Sequence, residues 1–341
     1  MGKSEPSSIM VDDRAVEAML SPYRHVIETG LKEVKESEGK LSEVAYEYVV
    51  GGGKMLRPSI VLLACEAVSG SYRRAIPIAM AYELAHTASL TQDDIIDESP
   101  TRHNKPTAHT KYNVTTAILI SDMLLFEIFE QLSRYAEVDI SPKRISVLIG
   151  HIARAAKEAA EGEFLEMQLS KKREPSVEDY LRLAGLKTGA LFGAAAASGA
   201  TVGGARQRIV SDLYEYGRNL GISFQMMDDV LDFTGTAAIT GKPVLMDMHN
   251  NASNIVLIHA LTHADSRRKN EIRSLMARSE YGLADTLEVQ GILDDLGSVE
   301  FASKSCLKHA SVARELLKPL PESRPKLILE ELTRWLEGRR R

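Results

Sequence analysis

Apolar residues recur along most of the chain at intervals of three and four, the spacing that places them on one face of an α-helix. The stretch SPYRHVIETGLKEVKESEG predicts one amphipathic helix, and LSEVAYEYVV predicts a second that stops at the glycine run 51–53. Two further stretches, SCLKHASVARELLKPLP and SRPKLILEELTRWLEG, predict helices towards the C-terminus. No run of alternating residues indicates a convincing strand.

Two long predicted helices carry start signals. Ser141 and Pro142 suit the N-cap and the first turn of the segment 141–172. Ser176 and Asp179 have capping-box spacing at the start of the next segment. No solenoid repeat or long linker divides the chain, so we expect one all-α domain of roughly a dozen helices. This helical bundle is predicted to span residues 13–341, after a disordered lead-in at residues 1–12.

Composition narrows the class of protein. The 341 residues are 44% hydrophobic and 26% charged, with a formal net charge of -5, which is typical of a soluble globular protein with a large core. This charge gives no reason to expect nucleic acid as a partner. Cys65 and Cys306 are too far apart for a disulfide framework or a zinc knuckle, which favours a reducing, cytoplasmic location. The N-terminus lacks an apolar secretory segment.

Two acidic triads are the first sign of chemistry. DDIID (93–97) and DDVLD (228–232) repeat the pattern Asp-Asp-x-x-Asp within apolar surroundings. The first and last aspartates of each are four residues apart and share a helix face. Such carboxylates need partners, and neither triad contains Lys or Arg. Oxygen ligands without His or Cys favour Mg²⁺. The predicted ligands are Asp93, Asp94, Asp97, Asp228, Asp229 and Asp232.

Basic groups complement the triads. GGGKMLRP (51–58) supplies Lys54 and Arg57 near a helix start, where they could hold a diphosphate, although the stretch lacks Walker spacing. His86 lies two helical turns before Asp93. TRHNKPT adds Arg102 and His103, LKTG adds Lys187, and TGKP adds Lys242. Each basic residue taken alone is more typical of a solvated surface, and His86 alone is more typical of a packed core.

In combination these stretches resemble the all-trans isoprenyl diphosphate synthases, or trans-prenyltransferases. GGGKMLRP, LAHTASLTQDDIIDESPTR, LKTG, GISFQMMDDVLDF and TGKP follow the order and approximate spacing of that family, from about residue 15 onwards. The resemblance implies a homodimer of all-α subunits, each with a central cavity. It further implies that isopentenyl diphosphate condenses with a geranyl, farnesyl or geranylgeranyl diphosphate.

The resemblance also assigns roles. Three Mg²⁺ ions would bind the six aspartates and the allylic diphosphate, which would also contact Arg102, Lys187, Thr188, Gln225 and Lys242. Lys54, Arg57, His86 and His103 would bind isopentenyl diphosphate. The chain departs from the family at His103, where arginine is usual, at Asn104, at Gln92 and in the stretch 244–256.

Chain length is expected to depend on residues below the first triad. Short-chain members place an aromatic residue four or five positions before it, where this chain has Ser89 and Ala88. Ala85 and Ala81 continue the small side chains. Phe126 and Phe129 are therefore predicted either to form the floor or to be ordinary core residues. We expect a product of C20 to C35.

Two other functions stay open from the sequence. A class I terpene cyclase shares the acidic motif but has no use for Lys54 and Arg57. A non-catalytic subunit of a heteromeric synthase is disfavoured by the intact aspartates. Peripheral membrane contact is also open, because long products need an apolar destination.

Overall fold

The computed structural model describes residues 12–35, 39–50, 53–102, 105–172, 174–234, 248, 253–278 and 283–338. Among these residues the fold is almost wholly helical, which confirms the all-α prediction. None of the helices described is both long and apolar enough to cross a membrane. Both cysteines are buried and free.

The first part of the chain forms helices joined by short turns. They are α1 (Asp13–Lys35), α2 (Lys40–Val49), α3 (Leu56–Ser69), α4 (Ile76–Ile96), the short α5 (Ala108–Lys111), α6 (Val114–Ser133) and α7 (Pro142–Leu169), with 3₁₀ turns at Arg73–Ala75 and Arg134–Glu137.

The second part begins at α8 (Val177–Ala184) and passes through a π-helical turn (Gly185–Gly189) into the next helix. The remaining helices are α9 (Ala190–Gly203), α10 (Gln207–Thr234), α11 (Ile255–His263), α12 (Ser266–Met276), α13 (Leu283–Asp295), α14 (Ser298–Leu316) and α15 (Arg324–Gly338).

Start signals read from the sequence are confirmed. The Ser141 side chain accepts a hydrogen bond from the backbone N–H of Arg144, and Pro142 is in the first turn of α7. Ser176 and Asp179 form a reciprocal capping box at α8. One element was not predicted: a small antiparallel hairpin pairs Thr101–Arg102 with Lys105–Pro106. Two residues per strand are too few to produce an alternating pattern.

Six of the helices form the centre of the bundle. Helix α10 packs along α9 and α14, α3 packs along α9, and α4 packs along α6. Glycine permits the closest of these approaches. A Cβ at Gly217 of α10 would collide with the backbone of Phe192 and Gly193 on α9. Helices α9 and α10 are therefore held in near backbone contact.

Candidate active site

The first acidic triad lies at the C-terminal end of α4. Asp93 and Asp94 are in its last turn, and Asp97 is the residue that caps it, with its N–H bonded to the Asp93 carbonyl oxygen (2.8 Å). Burial raises the pKa of Asp94, although Arg102 opposes this shift. Loss of solvent, followed by repulsion from Asp93, raises the pKa of Asp97. Negative charge is therefore costly here.

The second triad lies at the C-terminal end of α10, where Asp228 is exposed and Asp229 is buried. Asp229 is fixed through both carboxylate oxygens. Oδ2 accepts from the backbone N–H of Ile255 (3.0 Å), and Oδ1 accepts from the Gln225 amide (3.1 Å). The Thr188 hydroxyl donates to the Oε1 atom of Gln225 (2.9 Å). Three predicted site residues, Thr188, Gln225 and Asp229, thus form one hydrogen-bonded chain.

Lys187 of the π-helical turn lies among carboxylates. Its Nζ atom is 3.2 Å from Asp93 Oδ1 and 2.7 Å from Glu163 Oε2, and it also contacts Glu166. Burial works against the charged amine, but Glu166, Asp93 and Glu163 outweigh burial and raise the pKa of Lys187. The amine is therefore a fixed cation beside the first triad.

A missing side chain allows this placement of Lys187. Gly162 of α7 faces the π-helical turn. A Cβ there would lie 2.5 Å from the backbone nitrogen of Lys187 and 2.8 Å from the Lys187 Cα atom. Such distances are far below van der Waals contact, so any larger residue would push the turn away. Position 162 therefore requires glycine.

Arg102, on the first strand of the hairpin, also faces the triad. Its Nε donates to Asp94 Oδ1 (2.7 Å), and its Nη2 donates to Asp93 Oδ2 (3.2 Å). Neither triad contains a cation of its own, but the fold supplies Arg102 and Lys187 from elsewhere. Sequence spacing alone could not reveal these pairs.

A second basic group lies at the start of α3. Arg57 Nη1 is 3.0 Å from His86 Nε2, and the guanidinium stacks over the Phe192 ring at 4.6 Å. Burial lowers the pKa of Arg57 to about 10, with Glu83 and Asp228 opposing, so the group stays cationic at neutral pH. Its stacked position suits recognition of phosphate.

Lys54 lies just before α3, with its Nζ atom 2.7 Å from Asp13 Oδ2 and 4.5 Å from the centre of the Trp335 ring. The structure therefore joins Arg57 directly to His86 and holds Lys54 by separate partners from α1 and α15.

The chain is similar over most of its length to known proteins. Residues 39–292 match the family model for polyprenyl synthetase. The chain therefore belongs to the polyprenyl synthetase family. It is a prenyltransferase by that membership.

Individual relatives agree with this family. A geranylgeranyl diphosphate synthase of Methanosarcina mazei is 32% identical over 296 residues, covering 86% of this chain and 89% of that protein. The crystal structure of a geranylgeranyl pyrophosphate synthetase from Pyrococcus horikoshii superposes with a TM-score of 0.89 at 32% identity, covering 95% and 98% of the two chains. A polyprenyl synthase from Caulobacter crescentus, complexed with calcium and isoprenyl diphosphate, has a TM-score of 0.82 at 26% identity, covering 99% and 100%.

Metal binding in this family member would depend on the carboxylates. The two triads offer only hard oxygen donors. Burial first, and then repulsion from Asp93, raises the pKa values of Asp94 and Asp97, and a divalent cation would offset both effects. Within the part of the chain that the structure describes, no three acidic, His or Cys side chains converge closely enough to hold a metal alone. The residues fit Mg²⁺ that takes further ligands from diphosphate and water.

Several predicted residues lie outside the described ones. His103, Asn104 and Lys242 belong to this group, as do residues 1–11 of the predicted lead-in and most of the divergent stretch 244–256. Their predicted roles stay predictions.

The residues predicted to set product length differ in their exposure to solvent. Ala85 and Ala88 are buried, and Ser89 is half-buried, with its hydroxyl donating to the His86 carbonyl oxygen (2.8 Å). Phe126 and Phe129 are 69% and 58% exposed, on the face of α6 that points away from α4. Within a single chain neither is a core residue, and their predicted role in setting product length stays a prediction. Without knowing which face of α6 meets α4, the sequence could not place them.

Sequence reasoning missed three acidic residues. Glu163 and Glu166 contact Lys187, and their spacing of three residues on a helix could have suggested a shared face. Glu83 is 5% exposed and interacts electrostatically with Arg57. Its Oε2 atom has no hydrogen-bond partner among the described residues. Glu83 lies one helical turn before His86 on α4, so both residues are placed to interact with Arg57.

Burial of Glu83 should make stability depend on pH. Burial, opposed by Arg57, raises the pKa of Glu83 from 4.5 to about 7. The unfolded chain releases this proton at lower pH than the folded protein, so folding is penalised as pH rises from about 4.5 to 7. Glu83→Gln cannot ionise. We expect its free energy of unfolding, relative to wild type, to increase by about 3 kcal/mol across that window. Urea unfolding at pH 4.5 to 8 measures this, and a pH-independent difference would contradict it.

Proposed function

We propose that the protein is a Mg²⁺-dependent trans-polyprenyl diphosphate synthase that condenses isopentenyl diphosphate with an allylic diphosphate. The observation that carries the proposal is the presence of two separate cationic regions. Lys187 and Arg102 face the first acidic triad, and Arg57 of α3 with His86 of α4 forms a second region. A reaction between two diphosphates needs two such regions.

The allylic diphosphate would bind between the triads. Its oxygens would displace the carboxylate contacts of Lys187 and Arg102, and Thr188 and Gln225 would position it. Metal ions held by Asp93, Asp94, Asp97, Asp228, Asp229 and Asp232 would supply positive charge that stabilises the leaving diphosphate. Lys187 and Arg102 add fixed charge at the same point.

Isopentenyl diphosphate would bind at Arg57, His86 and Lys54. The guanidinium of Arg57 is held in place by Phe192 and His86, so little conformational entropy is lost when it binds a diphosphate. When the carbon–oxygen bond of the allylic substrate breaks, the isopentenyl double bond forms the new carbon–carbon bond at the allylic carbon. A proton then leaves the adjacent carbon, with the departing diphosphate as its acceptor. No protein nucleophile takes part.

A second copy of the chain would complete the molecule. Ile118, Leu119, Phe126 and Phe129, here called the α6 stripe, are 48% to 69% exposed on one face. Large apolar side chains grouped in this way are typical of association surfaces. Phe164 of neighbouring α7 is also 58% exposed. We infer a homodimer formed through this face, because a symmetric interface buries the same apolar patch on both copies.

Elongation should be directly visible as incorporated label. Purified protein with Mg²⁺, labelled isopentenyl diphosphate and farnesyl or geranylgeranyl diphosphate should give a ladder of dephosphorylated products that ends at one length. Lys187→Met removes a fixed cation at the leaving group, and we expect a loss of at least about 100-fold in kcat. Arg267→Met, on exposed α12, is the control and should be unchanged. Cyclic hydrocarbon in place of a ladder would favour a cyclase, and complete inactivity would favour a non-catalytic subunit.

Removal of divalent metal should abolish incorporation. EDTA leaves the triads without counter-charge beyond Lys187 and Arg102, so the product ladder should disappear and return on addition of excess Mg²⁺. Asp94→Asn should raise the Mg²⁺ concentration needed for half-maximal rate, because it removes one charged oxygen ligand. Undiminished incorporation in EDTA would contradict metal dependence.

Association through the α6 stripe can be tested by mass. Phe126→Asp places a charge in the proposed interface, so light scattering should report a shift from the mass of two chains to that of one. Leu327→Asp is the matched control, since Leu327 is 52% exposed on α15. Equal masses for both variants would contradict this interface.

A further inference from the structure

Lys54 is held at the point where α1 and α15, the first and last helices that the structure describes, meet the start of α3. Its Nζ atom donates to Asp13 Oδ2 (2.7 Å), and Trp335 Nε1 donates to Oδ1 of the same carboxylate (2.6 Å). The ammonium also lies 4.5 Å from the centre of the Trp335 ring. One carboxylate and one indole therefore fix the amine from two directions. We call Asp13 and Trp335 the lysine clamp.

The backbone on both sides of Lys54 is constrained as well. Gly53 has a φ of +77°, and Met55 has a φ of +47° and a ψ of +44°. A residue with a long side chain seldom adopts this left-handed conformation, and such strain persists where the surrounding structure holds it. Met55 is buried, and α3 begins at the next residue. Lys54 is therefore fixed at its backbone in addition to its amine.

The indole of Trp335 belongs to a row of three aromatic rings. Its ring centre lies 6.0 Å from that of Phe224 on α10, which lies 5.9 Å from that of Phe192 on α9. Trp335 and Phe192 are 2% and 1% exposed. Arg57 stacks over the Phe192 ring at one end of the row, as Lys54 lies over Trp335 at the other. Rigid packing therefore sets the separation between these two cations.

We propose that Asp13 and Trp335 are positioning residues for the isopentenyl diphosphate site and that they act through Lys54. This inference rests on the proposed function, in which Lys54 binds that substrate. A lysine ammonium ends a flexible four-carbon stem and loses rotamer freedom when it binds a ligand. The lysine clamp imposes this loss during folding, so the substrate meets an amine that is already oriented.

The lysine clamp orients the amine without closing the site. An ammonium has three donor hydrogens, and the bond to Asp13 uses one of them. The side chains of Lys54 and Asp13 are 25% and 54% exposed, so the pair is open to solvent on one side, where diphosphate oxygens can approach. The Trp335 N–H holds the other carboxylate oxygen, so Asp13 has a partner that keeps it in place when substrate binds.

The test is the KM for isopentenyl diphosphate in the elongation assay, with the allylic diphosphate saturating. Asp13→Ala removes the acceptor for both donors. We expect this KM to rise about 10-fold, because a charge-assisted hydrogen bond to substrate loses its fixed donor. The kcat and the KM for the allylic substrate should stay unchanged. Trp335→Phe keeps an aromatic ring but removes the N–H donor, so the same KM should rise by a smaller factor.

A matched control and a double variant separate positioning from a structural role. Asp295→Ala removes another exposed carboxylate that pairs with a cation, Arg268 at 2.9 Å, and should leave all three constants unchanged. Lys54→Gln should raise the KM for isopentenyl diphosphate by itself. Adding Asp13→Ala to Lys54→Gln should cause no further rise, because the effect of Asp13 passes through the amine.

The outcomes separate this inference from the proposed function. An unchanged KM for isopentenyl diphosphate in Asp13→Ala would overturn the inference, and a lower KM would show instead that Asp13 competes with substrate. A rise that persists in the Lys54→Gln background would assign Asp13 a structural role only. A wild-type protein that incorporates no isopentenyl unit would overturn the proposed function itself. Calorimetric titration of wild type and Asp13→Ala with isopentenyl diphosphate would then test the lysine clamp by binding alone, and equal affinities would overturn it.

Discussion

The placement of one cation among several carboxylates is the interaction on which the rest of this structure depends. Asp93, Glu163 and Glu166 approach one another on α4 and α7, and the fold tolerates them because the Lys187 amine lies between them. Burying like charges together without a cation would cost several kcal/mol per ion. The same arrangement would be disadvantageous in a purely structural protein, where apolar residues would pack more favourably. The arrangement makes sense for an enzyme in which a bound diphosphate replaces the carboxylates as the partner of Lys187 and metal ions replace Lys187 as the partner of the carboxylates.

Close backbone packing makes this arrangement possible. Lys187 projects from a π-helical turn, a feature that is rare and frequently functional. The turn is confined by Gly162 on one side and by Gly221, whose Cβ would lie 2.9 Å from the Gly189 Cα atom, on the other. Positioning of the cation is therefore a property of three helices rather than of the lysine side chain. Rigid support of this kind holds catalytic groups near their working geometry before substrate arrives.

Local patterns in the sequence predicted what local physics determines. Capping at Ser141 and Ser176 follows from side chains bonding to nearby backbone, so both helix starts were found. The hairpin that carries Arg102 was missed, because its pairing depends on a turn and not on alternation. The surroundings of Phe126 and Phe129 stayed undecided for a related reason: a helix that is apolar on several faces does not reveal which face is covered. Glu163 and Glu166 became visible only when α7 was placed against Lys187.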